Sequence, residues 1–130
     1  MARSLEGGIS MSSVLVVDDD PDICEVLVMI LGAHGYRAVA ATDGAEALAK
    51  LRGECPAPCL ILLDLMMPGM NGAQFRAEQM NDPALAAIPV VVLSGDGRTP
   101  EKASTIGLEW LKKPVDFDAL LATVRRFCPP

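Results

Sequence analysis

The sequence has few aromatic residues, less positive than negative charge and no long apolar run. Aromatic residues make up 4% of the 130 positions and hydrophobic residues 51%, so the core must be mainly aliphatic. Lys and Arg number 11 against 17 Asp and Glu, which gives a net charge of −6. This balance argues against direct nucleic-acid binding and against an anionic membrane surface. No apolar run approaches the roughly 20 residues of a membrane-spanning helix, so we expect no membrane insertion.

The first residues carry no targeting signal. The segment "MARSLEGGIS" has one Arg and no apolar stretch, which excludes a secretory signal peptide. We interpret residues 1–11 as a disordered leader, or as vector residues before a natural start at Met11. Residues 12–128 predict one domain, long enough to bury a core.

Cysteine and histidine are too scarce to predict a metal or redox site. There are four Cys and one His. Cys55 and Cys59 lie in "CPAPC", which is not a CxxC spacing, and only His34 could join them on a metal. We therefore expect free thiols in a reducing cytoplasm, with a zinc or redox site as the less favoured alternative.

What the sequence does have is an alternation of apolar runs and amphipathic segments. The apolar runs predict strands at 13–18, 36–41, 60–64, 89–94 and 108–112. The other segments predict helices from Pro21, over 42–52, over 72–80, from Thr99-Pro100, and after Asp116. This alternation predicts an α/β fold, a five-stranded doubly wound parallel sheet flanked by five helices. The continuously apolar runs suit strands that are buried on both faces.

Local signals mark the helix ends. Asp20 is suited to cap the first helix and Pro21 to begin it, and Gly32 and Gly35 are expected to end it. Asp43 and Glu46 have the spacing of a capping box at the second helix. Apolar residues at helical spacing are expected to face inward: Ile23, Val26, Leu27, Ile30 and Leu31 in the first helix, and Phe117, Leu120, Leu121, Val124 and Phe127 in the last.

Polar residues stand where four of the strands end. Asp18, Asp19 and Asp20 end the first, and Asp64, Ser94 and Lys113 end the third, fourth and fifth. Because the carboxyl ends of parallel strands share one edge of the sheet, we expect these side chains to meet there. Converging carboxylates repel one another, and a hard cation such as Mg²⁺, or Mn²⁺ in its place, offsets that repulsion. Carboxylate, metal, ammonium and hydroxyl together suit phosphoryl transfer onto a carboxylate.

Four motifs, in this order, resemble the receiver domain of bacterial two-component response regulators, the chemotaxis regulators among them. They are "VLVVDDD", "LLDLMMPGMNG", "VVVLSGD" and "WLKKP", and the likeness extends from residue 13 to 127. The resemblance implies a flavodoxin-like receiver fold and a signalling module of a phosphorelay. It implies no enzyme activity apart from self-catalysed phosphoryl transfer and autodephosphorylation.

The resemblance also implies a role for each matching residue. Asp64 would be the phosphoacceptor. Asp18 and Asp19 would hold Mg²⁺ together with Asp64, with Asp19 as a direct ligand, and Met66 would contribute its backbone carbonyl. Asp20 would only cap a helix.

Further positions concern the bound phosphoryl group. Ser94 and Lys113 would bind it, and Trp110 stands at the position of the switch aromatic, where the family more often has Tyr or Phe. Met66 and Asp96 stand where the family's side chains influence the lifetime of the phosphoryl group. The peptide bond before Pro114 would be cis.

The partners that the resemblance implies are a histidine kinase or a histidine phosphotransfer protein as donor. A downstream effector or a second copy would bind the face between predicted helices four and five. The alternative is a degenerate receiver that acts as a phosphate-independent scaffold. An aspartyl-phosphate hydrolase is disfavoured because Met66 stands where such enzymes have a second acid. We also expect no DNA-binding domain after Phe127.

Overall fold

The computed structural model describes residues 13–53, 57–67, 69–95 and 109–128. Five parallel strands form one sheet in the order β2-β1-β3-β4-β5. The strands are β1 (Ser13–Val17), β2 (Arg37–Ala41), β3 (Leu60–Asp64), β4 (Val90–Ser94) and β5 (Glu109–Lys112). The helices in these ranges are α1 (Pro21–Ala33), α2 (Gly44–Gly53), α3 (Gly72–Met80) and α4 (Phe117–Phe127). The predicted fold class is confirmed, and the helix predicted from Thr99-Pro100 lies outside the described residues.

The core has two layers because the central strands are buried on both faces. Successive residues of a strand point to opposite faces of the sheet. In β1, Val14 and Val16 contact the layer under α1 and α4, whereas Leu15 and Val17 contact the layer under α2 and α3. Every residue of β3 and β4 is buried. This explains why both strands are apolar up to their last residues, Asp64 and Ser94.

The strand order places β1 and β3 side by side at the point where the chain reverses its winding direction. After β1 the chain adds β2 on one side, and after β2 it crosses to β3 on the other. Val17 pairs with Leu63 and Ser94 with Lys112, so the strands end nearly level with one another. Such a switch point opens a crevice at the carboxyl ends of the strands.

The helix starts follow local capping rules. Asp20 caps α1 and accepts a hydrogen bond from the Asp22 amide at 2.9 Å, as predicted. At α2, Asp43 accepts from the Glu46 amide, but the Glu46 carboxylate accepts from the Thr42 amide rather than that of Asp43. A complete capping box at α3 was not predicted, although Asn71 and Gln74 have the required spacing.

Three predictions about the helices are wrong. Helix α1 continues through Gly32 to Ala33, so Gly32 does not end it, whereas Gly35, whose φ is 89°, turns the chain just beyond the helix as predicted. Val26 of α1 and Phe117 of α4 do not point into the core, since they are 38% and 46% exposed. Both side chains line an apolar cleft of about 280 Å³ between α1 and the start of α4. A helical stripe predicts which residues share a face, but not how far the neighbouring helix covers it.

The prediction of free thiols is also wrong for two cysteines. Cys59, just before β3, and Cys128, just after α4, form a disulfide with a Cα–Cα distance of 5.5 Å. The two residues are 69 positions apart, so no local spacing could have indicated the pair. Cys24 is a free, buried thiol. Cys55 lies outside the described residues. No helix in the described part of the chain has the length and hydrophobicity to cross a membrane.

A glycine at the start of α3 permits the chain to pass close to the end of β3. A Cβ at Gly72 would lie 2.7 Å from the Leu65 Cα, whereas a Cβ at Gly32 of α1 would meet nothing within 4 Å. We expect Gly72→Ala to lower the free energy of unfolding by about 1–3 kcal/mol through overpacking. Gly32→Ala, the matched control, should raise it by up to about 1 kcal/mol. Urea unfolding measures the change in the free energy of unfolding for both variants. Equal changes would contradict the close approach of Gly72 to Leu65.

Candidate functional site

Two buried carboxylates lie at the carboxyl edge of the sheet, one after β1 and one at the end of β3. Asp18 is fully buried and Asp64 is 4% exposed. Each accepts a hydrogen bond from a backbone amide two residues later: Asp18 from Asp20 at 2.9 Å, and Asp64 from Met66 at 3.0 Å. These local bonds orient both carboxylates at the sheet edge.

A third carboxylate completes an acidic cluster. Oxygens of Asp18, Asp19 and Asp64 lie within 4.8 Å of one another. Asp19 is exposed, so the cluster is buried on the protein side and open on the solvent side. Asp20 is adjacent in sequence but caps α1 instead. The structure thus separates the consecutive aspartates into site residues and a cap.

Lys113 supplies the positive charge. Its Nζ lies 2.5 Å from Oδ2 of Asp18 and 3.6 Å from Oδ2 of Asp64. Lys112 is exposed, and Lys113 directs its side chain to the carboxylates while its backbone amide donates to the Ser94 carbonyl at 3.0 Å. The Lys113–Pro114 bond is cis, the geometry that the resemblance implies.

Burial and charge shift the ionisation of these groups. Burial raises the pKa of Asp64 to about 6, and the nearby Asp18 carboxylate adds to the rise. The Met66 amide and the Lys113 ammonium act in the opposite direction but do not cancel it. For Lys113, burial acts to lower the pKa, but the carboxylates of Asp18 and Asp64 outweigh it and the pKa is raised. Lys113 therefore stays an ammonium ion at neutral pH.

The donor set fits a divalent cation. Three carboxylates converge and one ammonium faces two of them, which leaves an excess of two negative charges when all are ionised. Mg²⁺ prefers oxygen ligands, and it keeps several waters, for which the open side at Asp19 provides access. Asp18, Asp19 and Asp64 are thus the residues that could bind Mg²⁺.

The other predicted site residues are placed as follows. Ser94 is 1% exposed at the end of β4, next to the Lys113 backbone. Trp110 lies in β5 opposite Val92 and is half-buried. The Met66 side chain is 55% exposed beside Asp64. Asp96 lies outside the described residues, so its influence on phosphoryl lifetime stays a prediction.

One residue of the site was not predicted. The Cys24 thiol of α1 donates a hydrogen bond to the Asp18 carbonyl, with a sulfur–oxygen distance of 3.2 Å. Burial, and then the charge of Asp18, raises the pKa of this thiol to about 11. Cys24 therefore remains a neutral donor that supports the acidic turn. The sequence places Cys24 beside the apolar stripe of α1, which predicts that the residue is buried but not that it donates to Asp18.

The chain belongs to the family of response regulator receiver domains, because the sequence model of that family matches residues 14–125. Receiver domains of response regulators are signalling modules that work with histidine kinases and effectors. The prediction of the family is confirmed.

Individual relatives agree with the assignment. Protein PilH of Pseudomonas aeruginosa is 32% identical over 117 residues, which cover 88% of this chain and 95% of PilH. The DNA-binding response regulator MtrA of Mycolicibacterium smegmatis is 36% identical over 86% of this chain, which spans about half of MtrA (48%). The chemotaxis protein CheY4 of Vibrio cholerae superposes with a TM-score of 0.79 at 30% identity, over 90% of this chain and 98% of CheY4.

The raised pKa of Asp64 predicts a pH-dependent stability in the absence of divalent cations. Between its ordinary value of 3.8 and about 6, the folded state binds more protons at Asp64 than the unfolded state does. Stability therefore falls as pH rises through this window. We expect Asp64→Asn to be more stable than wild type at pH 7, by on the order of 2 kcal/mol.

The higher stability of Asp64→Asn should shrink as the pH falls to 4, because protonation then neutralises Asp64 in the wild type. Urea unfolding in EDTA between pH 4 and pH 7 measures the free energy of unfolding of both proteins. Asp20→Asn is the matched control, since that carboxylate is an exposed cap and should show no such gain. A difference between wild type and Asp64→Asn that does not change with pH would contradict the assignment of Asp64.

Proposed function

We propose that this receiver domain is a phosphoacceptor module that takes a phosphoryl group on Asp64. The observation that carries the proposal is the position of Asp64. It ends β3, is almost fully buried, and lies beside the carboxylates of Asp18 and Asp19 and within 3.6 Å of the Lys113 ammonium. A nucleophile on a rigid strand end, beside compensating positive charge, suits phosphoryl transfer.

The donor would be a phosphohistidine of a histidine kinase or of a phosphotransfer protein. An Oδ oxygen of Asp64 attacks phosphorus, the phosphorus–oxygen bond forms, and the phosphorus–nitrogen bond breaks. The electron pair of that bond returns to the imidazole nitrogen, which takes up a proton from solvent. Catalysis by the receiver is then mainly positioning and charge neutralisation.

Each residue of the cluster has a task in this proposal. Asp18, Asp19 and the Met66 carbonyl would hold Mg²⁺ beside Asp64. The ion, when bound, neutralises charge on the phosphoryl oxygens. Lys113 lies 3.6 Å from Asp64, close enough to pair with a phosphoryl oxygen on it. Ser94 would donate its hydroxyl to another of these oxygens.

In this proposal Lys113 would also change partners during the reaction. Its 2.5 Å contact with Asp18 balances the unphosphorylated cluster. Asp18 would hold the cation, which would neutralise this carboxylate, and Lys113 would then be free to pair with the phosphoryl group. The same three carboxylates and one lysine thus serve the free and the phosphorylated states.

Signal output would follow from movement of Ser94 towards the phosphoryl group and of Trp110 into the space released. An effector or a second copy would then bind the face between α4 and the helix predicted from Thr99-Pro100. The domain would act in the cytoplasm, where histidine kinases present their phosphohistidines. These steps rest on the family resemblance and on the adjacency of β4 and β5.

Acetyl phosphate with Mg²⁺ should phosphorylate the wild-type protein once, because the site itself supplies the catalytic groups. Intact-mass spectrometry should show one added phosphoryl group, absent in Asp64→Asn and abolished by EDTA. Asp19→Ala and Lys113→Ala should slow labelling by at least about tenfold through loss of charge compensation.

Two matched controls use neighbours of the same residue type. Asp20→Asn keeps a good helix cap and should be labelled at the wild-type rate. Lys112→Ala removes an exposed lysine and should also behave as wild type. Labelling that persists in Asp64→Asn would refute the phosphoacceptor assignment. A wild-type protein that is never labelled would favour the phosphate-independent scaffold.

The switch is testable through the single tryptophan of the chain. Phosphorylation adds charge and acceptor oxygens beside Ser94, and β5 lies next to β4. We expect the emission of Trp110 to change on adding acetyl phosphate and Mg²⁺. In Asp64→Asn, only the effect of the metal itself should remain. Identical spectra of phosphorylated and unphosphorylated wild type, with phosphorylation verified by mass, would rule out a movement of Trp110.

A further inference from the structure

A covalent cross-link joins the amino edge of the sheet to the end of α4, at the opposite side of the domain from the acidic site. Cys59 precedes the first residue of β3, and Asp64 is its last. A five-residue strand spans about 17 Å, so the cross-link and the phosphoacceptor are well separated. Cys128 is the C-cap of α4. The disulfide therefore ties the last helix to the centre of the sheet.

The surroundings of the two sulfurs suit the reduced state as well as the oxidised one. The Cys59 Sγ lies 3.1 Å from the Ser13 carbonyl oxygen, which is an acceptor for a thiol. Cys128 is fully buried within the apolar layer that includes Leu120 and Val124. A buried thiol packs there as a small hydrophobic side chain. The surroundings of both sulfurs are therefore chemically compatible with thiols as well as with the disulfide.

The two sulfurs differ in access to solvent. Cys128 has no exposed surface, whereas Cys59 is partly exposed. Thiol–disulfide exchange proceeds by attack of one sulfur on another, so it requires access of the external reagent to a sulfur atom. Exchange must therefore begin at Cys59 and be completed by Cys128.

We propose that Cys59 and Cys128 are a reversible dithiol–disulfide couple, in which Cys59 exchanges with low-molecular-weight disulfides such as glutathione disulfide. The Cys59 thiolate attacks one sulfur of glutathione disulfide, which forms a mixed disulfide and releases one glutathione. The Cys128 thiolate then attacks the Cys59 sulfur and releases the second glutathione. Two protein thiols are oxidised and one glutathione disulfide is reduced to two glutathiones, and the two protons of the protein thiols end on the two glutathione sulfurs.

The consequence of oxidation is a tether on α4. The helix is held to the sheet by Leu120, Leu121 and Val124, all nearer its start than Cys128. In its last turn, Arg126 pairs with Glu109 of β5 and Phe127 packs partly against the core, and the disulfide adds a covalent constraint at that end. Oxidation should therefore restrict the C-terminal turn of α4, and reduction should release it.

Trapping variants test the order of exchange. Both carry Cys55→Ser, so that this further cysteine of the sequence does not react. With glutathione disulfide, Cys128→Ser should accumulate a mixed disulfide that peptide mapping places on Cys59. Cys59→Ser should react at Cys128 at least about tenfold more slowly, because that sulfur is buried. Equal rates, or an adduct on Cys128 alone, would overturn the assignment of Cys59 as the exchanging sulfur.

The wild-type protein, with all its cysteines, tests the couple without a substitution in the pair. After reduction by dithiothreitol, glutathione disulfide should restore the Cys59–Cys128 cross-link, identified by peptide mapping without reduction. The oxidised form should melt at a temperature on the order of 10 °C higher than the reduced form, because a long loop is closed. Amide hydrogens of residues 125–128 should exchange faster after reduction. A pair that never re-forms, or a cross-link that excess dithiothreitol cannot reduce, would overturn the proposal.

A phosphorylation assay distinguishes the redox proposal from the proposal that Asp64 is the phosphoacceptor. The Cys59→Ala, Cys128→Ala double variant should be labelled by acetyl phosphate at the wild-type rate, since the cross-link lies at the opposite edge of the sheet. A large loss of labelling in a folded double variant would contradict the separation of the two sites. Failure of wild-type labelling would concern Asp64 alone and leave the redox experiments unaffected.

Discussion

Repulsion between carboxylates at the edge of an apolar sheet is the constraint on which the site depends. Asp18 and Asp64 are both buried, and Asp19 lies close to them. Burial disfavours the ionisation of Asp64, and the nearby Asp18 carboxylate adds to that cost. Lys113 offsets part of it through its contacts with Asp18 and Asp64. The remaining negative charge fits a divalent cation, whose binding would then depend on the ionisation of Asp64.

The fold holds this unfavourable cluster in place through its core. β1 and β3 are buried on both faces, so their last residues cannot move without disturbing two apolar layers. Backbone amides two residues beyond each strand then orient Asp18 and Asp64. Gly72 permits α3 to begin close to Leu65, which holds the loop after β3. The stability of the core thus maintains a local arrangement that is unfavourable by itself.

Much of this arrangement was predictable from short segments. The apolar runs predicted all five strands, and the parallel sheet follows from their alternation with helices. The residues at the strand ends predicted which side chains meet, because parallel strands share a carboxyl edge. The errors arose where the outcome depends on distant segments. Val26 and Phe117 belong to correct helical stripes, but they line a cleft that no element among the described residues fills. The capping role of Asp20 was predicted from the adjacent Pro21, whereas the burial of Asp18 beside the exposed Asp19 depends on how the packed strands and helices surround the end of β1.

The sequence by itself determined the class of fold, the edge of the sheet at which polar side chains meet, and the carboxylate, lysine and hydroxyl residues present there. These properties follow from periodicity and from the position of polar residues relative to strands, both of which are local. Only the tertiary structure decided which carboxylate Lys113 contacts most closely and how strongly burial shifts the pKa of Asp64. It alone also brought Cys59 to Cys128 across 69 positions. Distance and burial are properties of the packed chain, because they depend on atoms contributed by segments far apart in sequence.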